Sequence, residues 1–390
     1  MTPIDYDVII VGSGPIGLLL ANLLAPKDLH VLILERRTEL PTHSQAIGIT
    51  PPSLEILATL GLDETFVREG VKIQDCFVHD NHGELGCCSF RKLAGNYPFI
   101  LSLPQKTNVT LLEKNISSQS QIVFAKGAEV YAIHRHQNFV QVEFLDAQNA
   151  AKKVAASYVV ACDGNRSRIR EILKTSVKEK TYGCHFVMAD FPDNSGMGDD
   201  AHLFFTEEGA VESFPLPQGK RRWIVQTSVA MKTAPQTFIS EQVRQRTGIF
   251  IPFQEQISQT WFTPRRLDCE DYVQDRVILC GDAAHVMSPI GGQGMNVGFG
   301  DAALLAQTLG EILQHGQPAA PLLQTYSRKR QRVAKAAADH AAAGMWLGTR
   351  KGRLQSTLRS LLMREIFFSE PMSEKLGPHF AMQTLPKWTD

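Results

Sequence analysis

The stretch Asp7-Val8-Ile9-Ile10-Val11-Gly12-Ser13-Gly14-Pro15-Ile16-Gly17-Leu18-Leu19-Leu20 decides the fold. Asp7 to Val11 is a short apolar run ending at glycines, which reads as a strand buried on both faces. From about Pro15 to Leu24 the residues are apolar nearly all round, as in a helix packed on a sheet. A second apolar strand, His30 to Leu34, ends at Glu35. Glycines spaced G-x-G-x-x-G carry little information alone. Between a strand and a helix, with an acid ending the next strand about twenty residues on, they predict a dinucleotide site. Gly12 permits the tight turn, Gly14 lets a pyrophosphate approach the backbone, and Gly17 lets helix and sheet pack closely. Pro15 and Ile16 open the helix, whose free N–H groups and partial positive charge face the phosphates. Glu35 accepts hydrogen bonds from a ribose, and its charge argues against a phosphorylated ribose. Arg36 beside it joins the predicted binding set.

The rest of the chain sets bounds on this reading. A length of 390 residues exceeds one compact core, so two joined domains are expected. Lys+Arg and Asp+Glu each number 40, so no global field draws the chain to nucleic acid or an anionic membrane. The cluster Arg328, Lys329, Arg330, Arg332 lies in an Ala-rich helical stretch and reads as a solvated helix face. Asp5 and Asp7 stand where a signal peptide needs positive charge, and no apolar run is long enough for a membrane span, so the cytoplasm is expected. The seven cysteines form no regular framework, and Cys162 and Cys280 end apolar strands as small core residues. Cys76, His79, His82, Cys87 and Cys88 match no standard zinc spacing. They read as a hairpin around Asn81-His82-Gly83.

Short β-rich runs separated by Gly, Pro and Asp turns fill residues 176–270 and predict a mostly antiparallel sheet. The expected division is a discontinuous nucleotide-binding domain (1–75, 101–175, 271–345), a substrate domain (76–100, 176–270) and a C-terminal helical segment (346–390). In that last segment Leu354, Leu358, Leu361, Leu362 and Ile366 share one helix face, expected to pack on the core, with docking on a membrane surface the lesser alternative.

Two further motifs end apolar strands. Asp163-Gly164-Asn165-Arg166-Ser167-Arg168-Ile169-Arg170 caps one strand and starts a helix. Gly281-Asp282 ends another, and Pro289 followed by Gly291-Gly292-Gln293-Gly294-Met295-Asn296 opens a long helix. Asp282 is placed to bind a polyol chain, and the helix N-terminus stabilises negative charge.

These three motifs, in this order along the chain, resemble the single-component flavoprotein monooxygenases of the para-hydroxybenzoate hydroxylase type. Ser44 to Pro51 and Gly281 to Asn296 look most like the branch acting on phenols and aromatic polyketides. The resemblance implies an α/β architecture: a Rossmann-type FAD-binding domain, an inserted mostly antiparallel β-sheet substrate domain and C-terminal helices. It assigns Gly12, Gly14, Gly17 and Glu35 to the ADP half of FAD. Asp163 and Arg170 go to FAD binding and NAD(P)H use, and Asp282 to ribityl or ribose hydroxyls. Pro289 falls at the reactive edge of the flavin and the backbone of Gly294, Met295 and Asn296 at its pyrimidine, and Gly292 joins the FAD-binding set. Gln105 matches a position that contacts FAD. Gln45 stands where the family often has Arg, and lacks the charge for a bidentate phosphate contact. The implied reaction uses NADPH or NADH and O2, and hydroxylates an aromatic small molecule through a flavin C4a-hydroperoxide.

No side-chain acid or base is identified; His185, His202 and Tyr182 fall in the expected substrate domain, and the substrate pocket is expected between its sheet and the flavin, lined in part by Phe204, Phe214 or Trp223. A halogenase is disfavoured, because Trp223, Trp261, Trp346 and Trp388 do not form a Trp-x-Trp-x-Ile-Pro signature. Reductase or epoxidase chemistry on the same fold, and a non-catalytic carrier, are the alternatives.

Overall fold

The computed structural model describes residues 4–40, 46–289, 291–370 and 372–389. Its central sheet has Tyr6–Val11 paired in parallel with Ala151–Ala161 on one side and Val31–Glu35 on the other. Val277–Leu279 extends it beyond Ala151–Ala161, and Ile122–Lys126 beyond Val31–Glu35, both in parallel. Val11 lies opposite Ala161 and Leu34, and Ala161 opposite Leu279. Gly12, Asp163, Glu35 and Asp282 are therefore delivered to the carboxyl ends of four neighbouring strands, where open α/β sheets bind ligands. Val8, Ile9, Ile10, Val31 and Ile33 are wholly buried, so the continuous apolar runs reflect a sheet covered on both faces. The helix Pro15–Leu24 packs between the helices Gln105–Ile116 and Gln293–Leu313.

A second sheet has seven strands, in the order Ser258–Phe262, His185–Pro192, Lys220–Thr227, Gly209–Leu216, Ala201–Thr206, Asp75–Asp80, Gly83–Ser89. All pairs are antiparallel except Ala201–Thr206 with Asp75–Asp80. The Cys/His-rich segment is the hairpin Asp75–Asp80 and Gly83–Ser89. One face of this sheet packs Phe204, Val211 and Trp223 on Ile239 and Val243 of the helix Phe238–Thr247. The other faces the first sheet across a cavity.

Three expectations need correction. Of the three aromatics offered for the substrate pocket, Phe214 lines the cavity, whereas Phe204 and Trp223 lie on the covered face, because neighbouring residues of a strand point to opposite sides; Leu203 and Phe205 face the cavity beside Phe214. Arg330 is buried, whereas Arg328 and Arg332 of the same basic run are exposed. The helix Arg353–Leu362 turns its apolar face outward, with Leu354 81%, Leu358 67% and Leu361 58% exposed. Its inward face carries Ser356 and Arg359, whose guanidinium donates to the carbonyls of Arg350, Phe205 and Thr206. Those carbonyl acceptors reverse the orientation that apolar periodicity alone predicts. Among the described residues, no helix is long and apolar enough to cross a membrane.

Candidate functional site

A single cavity of about 1320 Å³ runs from Glu35, past Asp163 and Asp282, to the open face of the second sheet. At its first end Gly12 has φ 102°, and a Cβ there would stand 2.5 Å from the Cys162 carbonyl oxygen. A Cβ on Gly17 would stand 2.0 Å from the Gly12 carbonyl oxygen. Gly14 has nothing within 4 Å and lines the cavity, as do Pro15 and Ile16. The first-turn N–H groups of Pro15–Leu24 have no side-chain cap, which leaves them for a ligand. Glu35 is fixed by the turn: Ser13 donates to its carboxylate through N (2.8 Å) and Oγ (3.1 Å), and Arg37 N donates at 2.9 Å. Arg36 lines this end.

The second motif aims a half-buried carboxyl into the same space. Asp163 Oδ2 accepts from Ile169 N at 3.1 Å, whereas Oδ1 is buried without a partner. Burial raises the Asp163 pKa above its ordinary value. Arg170 does not line the cavity among the described residues. It donates to Ala283 O (3.0 Å) and Asn165 O (2.9 Å), tying the second motif to the third.

Asp282 lies in the short helical turn Gly281–Ala283 and lines the cavity, and burial raises its pKa too. Ile16 wedges between Gly281 and Gly298, where added Cβ atoms would stand 3.0 and 2.6 Å from its side chain. Pro289, Gly291, Gly292, Gly294 and Met295 continue the lining. Gly292, with φ 65°, precedes Gln293–Leu313, a helix that has no side-chain cap either. The Asn296 side chain is used within the chain: it donates to Gly48 O and Gly292 O and accepts from Thr50 N and Ser53 Oγ. It braces the glycine loop. Gln105 lines the cavity and exchanges hydrogen bonds with Ala46. Gln45 lies outside the described residues.

Sequence reasoning missed two features. Asp301, wholly buried, accepts from Arg330 Nε (2.5 Å) and Gly281 N (3.0 Å), and its Oδ2 is 2.6 Å from His285 Nε2. Burial acts to raise the Asp301 pKa, but Arg330 and His285 outweigh it and hold the carboxyl at about 2. This triad locks the third motif to the long helix. Its signal was Gly298-Phe299-Gly300-Asp301, since a Cβ on Gly300 would stand 3.0 Å from Arg330 Nη2. The second omission is Glu212, a cavity-lining carboxyl on Gly209–Leu216. Of the expected base candidates, His202 faces away, with Nδ1 3.0 Å from His79 Nε2, and burial lowers its pKa to about 4. His185 Nδ1 is 2.7 Å from Thr263 Oγ.

A glycine turn, two uncapped helix N-termini, two half-buried carboxyls and an apolar wall along one cavity fit an extended dinucleotide with a flat ring system at its far end. The unpartnered Asp163 Oδ1 suits a polyol donor, as FAD carries. These features define an FAD-binding protein.

The chain belongs to the FAD binding domain family, whose model matches residues 5–341. It is 28% identical over 378 residues to rifampicin monooxygenase of Streptomyces venezuelae, covering 95% of this chain and 77% of that protein. It is also 28% identical over 335 residues to the uncharacterized aromatic compound monooxygenase YhjG of Bacillus subtilis, covering 85% of this chain and 66% of that protein. The chain thus spans about two thirds to three quarters of these relatives' length. The p-nitrophenol 4-monooxygenase PnpA of Pseudomonas putida DLL-E4 shares the fold, with TM-score 0.89 at 21% identity, covering 97% of this chain and 98% of that one.

Proposed function

We propose that the chain is an FAD-dependent monooxygenase that uses NADPH or NADH and O2 to hydroxylate an aromatic small molecule, phenolic or polyketide-like. The observation that carries this reading is the continuity of the cavity from the Gly12–Gly17 turn to the apolar face of the second sheet. Monooxygenase relatives named for aromatic compounds and for rifampicin support it.

Bound FAD would supply hydride acceptance from the nicotinamide and activation of dioxygen. The chain's own groups bind, orient and exclude water. Gly12 and Gly14 with the first-turn N–H groups of Pro15–Leu24 would hold the diphosphate, Gly17 letting that helix close on the turn, and Glu35 and Arg36 would hold the adenosine end. Asp163 and Asp282 accept hydrogen bonds from sugar and ribityl hydroxyls. The N-terminus of Gln293–Leu313, at Gly292, Gly294 and Met295, stabilises negative charge on the ring system. Pro289 would pack against the ring system. We assign residues 1–75, 101–175 and 271–345 to the FAD-binding domain, and 76–100 with 176–270 to the substrate domain.

The test is NADPH and NADH consumption by the FAD-loaded chain against a panel of phenols and aromatic polyketides, with products followed by mass spectrometry. We expect a subset of the panel to speed NAD(P)H consumption and gain one oxygen atom. FAD binding without a hydroxylated product across a broad panel would contradict the reading in favour of a reductase. A purified chain that takes up no FAD would contradict the cofactor.

A further inference from the structure

Across the cavity from Pro289 and the glycine loop, the second sheet presents an almost wholly apolar wall that includes Met188, Ala201, Leu203, Phe205, Phe214 and Ile224. Glu212 stands in the middle of it, opposite Leu203 on one neighbouring strand and Ile224 on the other. It is only 8% exposed, yet it lines the cavity. Among the described residues its carboxyl has no hydrogen bond or ion pair, and burial alone raises its pKa to about 7. An unpaired buried carboxyl is costly, and in a packed core it would have acquired a partner.

The groups facing it do not supply one. The Cys76 thiol on Asp75–Asp80 is pushed well above its usual range and stays neutral. Arg222, on the same face of Lys220–Thr227, is held by two hydrogen bonds to Asp190. Lys351 Nζ, beyond the end of the sheet, bonds Ser228 Oγ. On the helices lining the cavity, the His340 and His379 rings pack against each other, tilted by 41° with centroids 4.2 Å apart. The arginines of the lining, Arg36, Arg37, Arg166, Arg168 and Arg265, belong to the nucleotide-side loops and to the strand Arg265–Cys269.

We propose that Glu212 is the specificity-determining residue of the substrate site: it accepts a hydrogen bond from a hydroxyl or amine of an uncharged aromatic substrate and repels aromatic carboxylates. This deepens the monooxygenase reading and rests on it. A carboxylate-bearing ring would bring a second negative charge against an apolar wall whose lining, among the described residues, offers no cation to receive it, and like charges disfavour such a complex strongly. A phenol or arylamine instead supplies the donor the carboxyl lacks.

The test is equilibrium dialysis of the FAD-loaded full chain with three probes of one ring size: 2-naphthol, 2-naphthamide and 2-naphthoate. Near pH 8 we expect the naphthol and the amide to bind at least about tenfold tighter than the carboxylate. Naphthoate affinity should fall as pH rises through about 7, where Glu212 gains its charge. In Glu212→Gln, and in Glu212→Met should the first variant load FAD poorly, naphthoate should approach the amide and lose that pH dependence. A merely structural Glu212 would leave the ratio and the pH profile unchanged. That result overturns the proposal, as does a wild type that binds naphthoate as well as the neutral probes or binds no probe. Dialysis reads binding alone, so the preference can hold while no hydroxylated product forms, or fail while hydroxylation proceeds.

Discussion

Gly14 and Gly17 lie three residues apart and answer to different constraints. A methyl group on Gly17 collides with the backbone of Gly12, whereas one on Gly14 meets only cavity. Gly17→Ala should therefore destabilise the chain without FAD by about 1–3 kcal/mol, through forced backbone shifts. Gly14→Ala should leave that stability within about 0.5 kcal/mol and act mainly on FAD affinity. Thermal melts of the FAD-free chain, paired with FAD titrations, separate the two. Glu212 gives a second prediction at this scale. Its folded pKa lies above its ordinary 4.5, so the charge costs nothing at low pH and its full penalty above about 7. Glu212→Gln should stabilise the substrate-free protein by up to roughly 3 kcal/mol near pH 8 and not near pH 4; denaturant titrations at both pH values check this.

Elements were legible where their signals are local. Strand, glycine turn, helix and acid lie within the first 35 residues, and each constrains its neighbours sterically, so Gly12, Gly14, Gly17 and Glu35 could be read directly. Asp163 and Asp282 were legible because each ends an apolar strand. Strand parity in the second sheet was not. In Ala201-His202-Leu203-Phe204-Phe205 apolar residues fall on both faces, since one face packs on a helix and the other lines a cavity. The helix Arg353–Leu362 misled for the opposite reason, because its polar face is drawn inward by distant carbonyls that no local pattern reveals. Arg359→Ala should cost about 1.5–3 kcal/mol by stranding those acceptors. Leu358→Ser should stay within about 0.5 kcal/mol despite removing a large apolar group, since that group is exposed. Chemical denaturation of the two variants distinguishes this arrangement from one with the leucines packed inward.

At the scale of the molecule, parallel pairing of four strands gathers motifs up to about 270 residues apart in sequence at one sheet edge. The Asp301–His285–Arg330 triad then fastens the third motif to the long helix beneath it. Asp301 is held at about 2, below its ordinary 3.8. Its contribution to stability is complete above the ordinary value and is lost as pH falls toward about 2. Asp301→Asn leaves Arg330 buried without its counter-charge and should cost about 3–5 kcal/mol at neutral pH. The penalty should shrink in acid, where the wild type loses the same charge, and unfolding free energies measured across the acid range would show it.

The most direct test of the central claim is a turnover under isotopically heavy dioxygen, using the FAD-loaded chain, NAD(P)H and whichever aromatic compound speeds NAD(P)H consumption. A monooxygenase places one heavy oxygen atom in each molecule of product. Product whose new oxygen carries the isotope of water, or consumption of NAD(P)H that yields only hydrogen peroxide or a reduced organic product for every compound that accelerates it, would contradict the account.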